Sequence, residues 1–446
     1  MNIVIAGDGE VGLHLAKELA SENHNITIVD PHEELLKMVE SHTDLMTITG
    51  DSTSIHVLRN ANVKKADLLI SVVHDEQINI ITAILGKKLG AKKTIARVNS
   101  LENLTEENKE VYQQLGIDFL VCPEAIAAEE IITLLHQSAA TEIFEFSEGK
   151  LSLFLIKLER GAPALNKTLS EIASEYSHLD FRAVAIHRNS TTIIPGGDDT
   201  FIENDLSYVI SKPGGVEELM KLGGKQKIDI RNIMIVGGGR VGRTAARQLE
   251  GDLNIKLFEL DKERCIFLTD YLEDTLIING DARDIQLLED EDIRNMDAFI
   301  AVTDNSETNI LTCLHARKYG VHKTIALVEN IDYIDISQNI GIDTIINKKL
   351  ITASYIIRFT MGAEVTSIKC LSGIDAEAME MVARHGSAIT KKTLRNIKMP
   401  KGAIIGGIVR GEDSYIATGD FQIRENDHVV VFSLPEAIQK VERLFN

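Results

Sequence analysis

Short apolar runs and longer amphipathic stretches alternate along this chain. Ile3–Ala6 is one such run, and after a glycine-rich turn Val11, Leu15, Ala16 and Leu19 recur at helical spacing. Further runs follow at Ile26–Val29, closed by Asp30, and at Met46–Thr49, Leu68–Val73, Thr94–Val98 and Leu115–Val121. A helical stretch fills Ile55–Ala61, and another, Glu124–Ser138, leads out of the region. Apolar strands joined by helices predict a parallel sheet covered on both faces.

From Glu142 to Gly224 the pattern changes. Leu153–Leu158, Arg182–His187, Thr192–Pro195 and Leu206–Ser211 read as short strands between turns at Gly161, Pro163, Gly196-Gly197 and Asn204-Asp205. This predicts a small α+β domain, closed by a linker at Gly223-Gly224-Lys225. The whole arrangement then repeats. Gly280-Asp281 follows Gly50-Asp51 by 230 residues, Asp297 repeats Asp67, and Thr303–Asn309 repeats Val73–Asn79. Thr324–Val328 repeats Thr94–Val98, Gly341-Ile342-Asp343 repeats Gly116-Ile117-Asp118, and Asn426-Asp427 mirrors Asn204-Asp205. The predicted fold class is α/β, with two Rossmann-like parallel-sheet domains (1–140 and 229–362) alternating with two small α+β domains (141–224 and 363–446).

Both large domains open on one turn. Ile3–Gly12 reads IVIAGDGEVG and Ile233–Gly242 reads IMIVGGGRVG. Strand, G-x-G-x-x-G and helix in that order form the phosphate-cradling turn of a dinucleotide-binding unit. Gly7 and Gly237 permit the tight turn, and Gly9 and Gly239 let the backbone approach a pyrophosphate. Gly12 and Gly242 bring the helix close, its N-terminal amides facing the anion. Asp30 lies 18 residues beyond Gly12, where an acid accepts both ribose hydroxyls and favours NAD over NADP. It equally suits a helix N-cap before Pro31. Glu259, 17 residues beyond Gly242, takes its place in the second copy. Gly50-Asp51-Ser52-Thr53 suits the edge of a nucleotide crevice or the cap of the next helix. Arg97 stands either where a cation would meet a phosphate or as an exposed salt-bridge arginine. The copies differ at Glu10 against Arg240 and at Arg97 against Leu327, which predicts two sites of unequal nucleotide preference.

Composition narrows the reading. A net charge of −20 argues against nucleic acid or an anionic lipid surface as a direct partner. Apolar runs such as Val429–Phe432 fall far short of the ~20 residues that span a bilayer. With no basic leader before the first strand, no secretory signal is expected, and the scattered cysteines fit a reducing cytoplasm. Cys122, Cys265, Cys313 and Cys370 form no C-x-x-C, and the 13 histidines no H-E-x-x-H, so no metal site is expected. There is no P-loop and no G-x-S-x-G elbow. Only the two small modules accompany the large domains, and neither offers a recognisable acid–base pair. Ligand sensing rather than catalysis is therefore expected. A soluble NAD-dependent oxidoreductase and a free-standing nucleotide sensor are the alternatives.

The duplicated GDGEVG and GGGRVG frame, TDNSETNI at Thr303–Ile310, PKGAIIGGIVRGED at Pro400–Asp413 and the closing VERLF at Val441–Phe445 resemble the TrkA family. These are regulatory subunits of Trk potassium-uptake systems, built from domains called RCK or KTN, and the resemblance covers essentially the whole chain. It implies a homo-oligomeric ring of such domains on the inner face of the plasma membrane, docked beneath a TrkH-type potassium transporter. It implies NAD(H) in the crevices, with ATP or ADP as competing ligands that shift conformation and gate ion flow. Carried onto this sequence, the first site is Gly7, Asp8, Gly9, Glu10, Val11, Asp30, Asp51, Ser52, Val73, His74 and Arg97. The second is Gly237, Gly238, Gly239, Arg240, Val241, Glu259, Asp281 and Thr303. Val73 departs from the threonine frequent in the family, and Glu76-Gln77 from its Asp-Glu. Small modules of some relatives bind cyclic dinucleotides, which Arg188 and Arg410 alone do not establish here. Apolar seams for assembly are expected on Glu124–Ser138 and Leu350–Thr360.

Overall fold

The computed structural model describes residues 1–7, 9–21, 24–34, 36–37, 45–136, 142–176, 180–188, 191–224, 229–357, 359–360, 365–371 and 376–446, with the backbone alone at 10, 21, 136, 142, 335 and 370. Asp8, the side chains of Glu10 and Cys370, Lys225, Ser138 and the expected boundaries at 140–141 and 362–363 lie outside the described residues.

Met1–Ile126 forms one compact unit with Lys349–Gly362. Its sheet runs β1 (Asn2–Ala6), β2 (Asn25–Asp30), β3 (Met46–Thr49), β4 (Leu68–Ser71), β5 (Lys93–Arg97) and β6 (Phe119–Val121). All pairs are parallel, in the order β3-β2-β1-β4-β5-β6. Helices on both faces bury Ile3, Ile5, Leu69, Ile70 and Ile95. The strand order turns back between β1 and β4, so the connections from their carboxyl ends diverge and leave a crevice there.

Two expected strands are shorter than their apolar runs. β4 stops at Ser71 because the Val73 amide donates to the Asn79 side chain (2.8 Å) rather than to a neighbouring strand. β6 begins at Phe119 because Leu115 closes the helix Glu106–Leu115, which Gly116 terminates at φ 99°.

The second unit comprises Ala127–Lys348 and Ala363–Asn446. Its first sheet contains β7 (Glu142–Phe146), β8 (Leu151–Lys157), β9 (Phe181–Arg188), β10 (Thr191–Ile193) and β11 (Leu206–Ser211), antiparallel in the order β10-β9-β11-β8-β7. A parallel sheet follows: β12 (Asn232–Val236), β13 (Asn254–Glu259), β14 (Thr275–Asn279), β15 (Ala298–Ala301), β16 (Lys323–Leu327) and β17 (Thr344–Ile346), ordered β14-β13-β12-β15-β16-β17. The chain ends in β18 (Val365–Cys370), β19 (Glu377–Val382), β20 (Ala403–Arg410), β21 (Asp413–Ile416) and β22 (His428–Ser433), ordered β18-β19-β22-β20-β21. Each half thus pairs one parallel with one antiparallel sheet, and the connectivity repeats strand for strand.

The repeat extends to buried chemistry. In the two small sheets Arg188 grips Asp205 through Nε (2.8 Å) and Nη2 (2.6 Å), and Arg410 grips Asp427 at 2.8 and 2.7 Å. Asn204 (φ 69°) and Asn426 (φ 64°) make the left-handed turn that presents each aspartate, a conformation asparagine tolerates well. The two small sheets share one core, in which Leu153, Leu155, Tyr208 and Ile210 cluster with Ala378, Val430 and Phe432. Gly406 permits this approach, since a Cβ there would lie 2.0 Å from Ile210 Cδ1.

A polar knot crosses the same junction. Glu380 is 3% exposed and accepts from the Ser147 hydroxyl, from Ser367 Oγ (2.9 Å) and from His428 Nδ1 (2.8 Å). Nearby, Lys369 pairs with Glu130 at 2.6 Å.

Among the described residues the apolar faces expected as assembly seams are largely buried. On helix Pro123–His136, Ala127, Ala128, Ile131 and Leu134 are fully buried, as are Ala353, Ile356 and Ile357 on helix Lys348–Ile357. Exposed apolar side chains stand instead at Ile81, Val111 and Leu115, and at Leu311, Ile336 and Ile340.

Burial pushes the Glu380 carboxyl up, but the hydrogen bonds from Ser147, Ser367 and His428 outweigh it and hold it below its ordinary 4.5. Its contribution to stability is therefore full above about pH 4.5 and disappears as pH falls through the lower folded value. In thermal melts the native chain should lose stability more steeply below pH 5 than Glu380→Gln; parallel acid limbs would contradict this assignment.

Candidate functional site

The glycine turns have one geometry in both halves. Gly7 and Gly237 adopt φ 115° and 106°, where an L side chain is strained. A Cβ on Gly12 would lie 2.0 Å from Gly7 O, and one on Gly242 2.0 Å from Gly237 O. The third glycine thus lets the helix begin directly against the turn's own carbonyl. A Cβ on Gly9 or Gly239 would meet nothing within 4 Å, so the middle glycine faces open space. Gly239 is also the N-cap of helix Arg240–Leu249 and gives it no side-chain cap. A helix start of this kind offers first-turn amides that can bind an anion. Elsewhere the same chain caps its helices, as Asp75 does for Gln77 and Ile78, and Asp261 for Arg264.

Each carboxylate sits at the end of its second strand, nearly buried. Glu259 Oε2 accepts from Gly238 N at 3.0 Å, and Oε1 from Asp261 N at 2.8 Å. Asp30, one methylene shorter, accepts from His32 N at 3.0 Å and meets His32 Nδ1 at 2.7 Å. Asp30 thereby fixes the backbone after β2, the capping alternative, and lies at the carboxyl end of that strand. Glycine at 238 makes the Glu259 contact possible: a Cβ there would lie 3.1 Å from Glu259 Oε2 and 2.3 Å from Leu268 Cδ1.

After the third strand, Asp51 Oδ1 accepts from Thr53 N and Oγ1, both at 2.8 Å, while Asp281 takes the Arg283 guanidinium bidentately, with Nη2 at 2.6 Å. These bonds hold both carboxyls below their usual range. Ser52 is buried and meets Thr82 Oγ1 at 2.9 Å.

The loop after the fourth strand hangs on a buried asparagine. Asn79 Oδ1 accepts from Val73 N (2.8 Å) and Ser71 Oγ (2.9 Å), and its Nδ2 donates to Val73 O (2.9 Å) and Arg97 O (3.0 Å). Asn309 does the same with Thr303 N (3.0 Å), Thr303 Oγ1 (2.6 Å), Thr303 O (2.9 Å) and Leu327 O (2.8 Å). All four hydrogen-bonding capacities are used in each copy. The frame repeat contained both asparagines, but periodicity marks such a position only as an interruption of an apolar helix face.

In the second half these parts converge. Gly237, Gly239, Glu259, Asp281 and Thr303 line one cavity of about 430 Å³, with Leu260, Asp304, Arg264 and Arg283 on its rim. Gly238 contributes its amide to Glu259, Val241 is buried in the helix, and Arg240 is exposed. Motif spacing did not single out the two rim arginines, which lie outside G-x-G-x-x-G. In the first half Val11 and Val73 are half-buried and His74 and Asp51 exposed. Arg97 carries its charge against Glu124 at 3.0 Å, with both side chains nearly buried. That is a buried form of its salt-bridge alternative. Among the described residues no group of three or more metal-ligating side chains is present, and no helix is long and apolar enough to cross a membrane.

Models of the TrkA-N domain match residues 3–123 and 233–348, and those of the TrkA-C domain match 153–223 and 378–446. The chain belongs to the TrkA family. It is 33% identical over 454 aligned positions to "Trk system potassium uptake protein TrkA homolog 1" of Methanosarcina mazei, covering 100% of both chains. Among solved structures, the GsuK channel bound to NAD superposes with a TM-score of 0.61 at 18% identity, covering 100% of this chain and 78% of that one. GsuK bound to ADP gives 0.51 at 16% identity, covering 80% and 68%. At such identities the likeness is one of fold, and TrkA membership rests on the domain models and the full-length relative.

Two glycines separate the roles of the turn. Gly242→Ala should destabilise the chain by about 1–3 kcal/mol, because its Cβ meets a backbone oxygen that cannot step aside. Gly239→Val should melt within a few degrees of the native chain yet weaken nucleotide binding at least about tenfold, the side chain filling the open space. Calorimetric melting and titration read the two effects independently, and equal losses of stability would contradict the division.

Proposed function

We propose that this chain is the nucleotide-sensing regulatory subunit of a Trk-type potassium transporter, with NAD(H) and ADP or ATP competing for its crevices. The observation that carries the reading is the cavity of the second half, where a helix N-terminus without a side-chain cap and the buried Glu259 carboxylate border one open space. That is the donor–acceptor layout of a pyrophosphate and a ribose. In this reading Gly7–Val11, Asp30, Asp51, Ser52, Val73, His74 and Arg97 form the first site. Gly237–Val241, Glu259, Asp281 and Thr303 form the second. The NAD- and ADP-bound GsuK structures share the fold and support the ligand class.

The relatives' part in potassium uptake supports a cytoplasmic placement beneath a TrkH-type membrane transporter. Assembly into a ring is supported by apolar positions exposed in register in both copies: Ile81 with Leu311, Val111 with Ile336, and Leu115 with Ile340. Each set lies on or at the end of the two helices after its fourth and fifth strands. Gating follows if one nucleotide binds one conformation of the ring more tightly, tenfold for each ~1.4 kcal/mol of difference.

The test is potassium flux into vesicles holding the native transporter, with the full chain added and NADH exchanged for ATP. Flux that changes with the nucleotide is expected; flux indifferent to both would defeat the proposal. Light scattering of Ile81→Asp/Leu311→Asp should show a smaller particle than the native chain, and an unchanged mass would place the ring contacts elsewhere.

A further inference from the structure

The two crevices are built alike and charged differently. The first turn reads Gly-Asp-Gly-Glu and the second Gly-Gly-Gly-Arg. Asp30 and Asp51 recur as Glu259 and Asp281, but Thr53 becomes Arg283, whose Nε and Nη2 donate to the Asp281 carboxylate. Leu35 becomes Arg264, whose Nη1 stands 3.5 Å from Glu259 Oε2. His74 becomes Asp304. Over these positions the first copy carries Asp8, Glu10, Asp30 and Asp51 with no lysine or arginine, and the Arg97 charge beside them is matched by Glu124. The second balances Glu259, Asp281 and Asp304 with Arg240, Arg264 and Arg283. Arg264 and Arg283 line the cavity and remain 49% and 64% exposed, so a ligand reaches them.

We propose that the two crevices sort adenine nucleotides by charge, the second taking the polyphosphates ADP and ATP and the first the less charged dinucleotide NAD⁺. This rests on the reading of both crevices as nucleotide sites. The turn amides and the strand-end carboxylate are common to both copies and bind what all these ligands share, an adenosine carrying a pyrophosphate. The acids of the first copy, Asp30 and Asp51 among the described residues, repel each added phosphate charge, whereas Arg264 and Arg283 of the second offset it. These charges act through partly solvated space, so the discrimination is graded and weakens with salt.

The experiment isolates each crevice in the full-length chain. Gly9→Val closes the first and Gly239→Val the second, and calorimetry follows NAD⁺, ADP and ATP without divalent cations at low and at physiological salt. With the second crevice open, ATP should bind about tenfold more tightly than NAD⁺, and the gap should narrow with salt. With the first open, the order should reverse. Adding Arg264→Leu and Arg283→Thr to the chain with the second crevice open should weaken ATP about tenfold and NAD⁺ by less than about threefold. The same ligand order in both crevices overturns the proposal, as does an equal loss for ATP and NAD⁺, which would mean that the arginines hold the adenosine. Absence of binding in either chain, both still melting cooperatively, defeats the underlying nucleotide reading instead.

Discussion

The missing side chain at Gly12 and Gly242 is the constraint on which each large domain turns. With a carbonyl only 2.0 Å from where a Cβ would stand, no other residue lets the helix start there. Were the helix displaced, its amides would no longer point over the end of the first strand, and the middle glycine would no longer border an open space. The carboxylate at the end of the second strand would also face a different distance. One contact therefore sets the spacing between the donors and the acceptor, and the sheet supplies a rigid base for it.

Around this fixed element the copies have diverged by small chemical steps. Lengthening aspartate to glutamate at the second strand goes with removing the side chain at position 238, so that the longer carboxylate reaches the turn amide. Exchanging Thr53 for Arg283 keeps the backbone turn, since the amide two residues on still donates to the aspartate, and changes only what projects outward. The buried asparagine stayed the same in both. All four of its hydrogen bonds are taken, and removing it would orphan two carbonyls and an amide in each loop.

Much of this was legible in the sequence because it is periodic or stereochemically forced. Apolar runs located the parallel strands, and glycine spacing located the turn. The duplication supplied a second reading of every element. Legibility failed where a side chain interrupts a pattern. Val73 looked like strand until Asn79 was seen to hold its amide, and Leu115 lengthened an apolar run although it ends a helix on the surface. Two apolar helix faces expected to be exposed are buried for a related reason. Helix Pro123–His136 is strongly apolar, but the chain itself covers that face, and sequence does not distinguish a face covered from within from one awaiting a partner. At the site, strand-end acids follow from spacing, whereas Arg264 and Arg283 belong to it only because helix and loop fold back over the cavity.

The shared core of the two small sheets has a consequence of its own. Two such modules on separate polypeptides would meet at a rate set by concentration and would carry identical residues on both sides of their junction. Here both lie on one chain, so their pairing is unimolecular and insensitive to dilution. It is also free of the symmetry imposed on identical partners. Glu380 and His428 occupy the strand positions that Leu155 and Leu206 hold in the other module. A mirrored junction would have to bury that polar pair twice or not at all, whereas the fused one places it on one side only. Within a single chain the contact thus has two distinguishable faces, each able to change without the other.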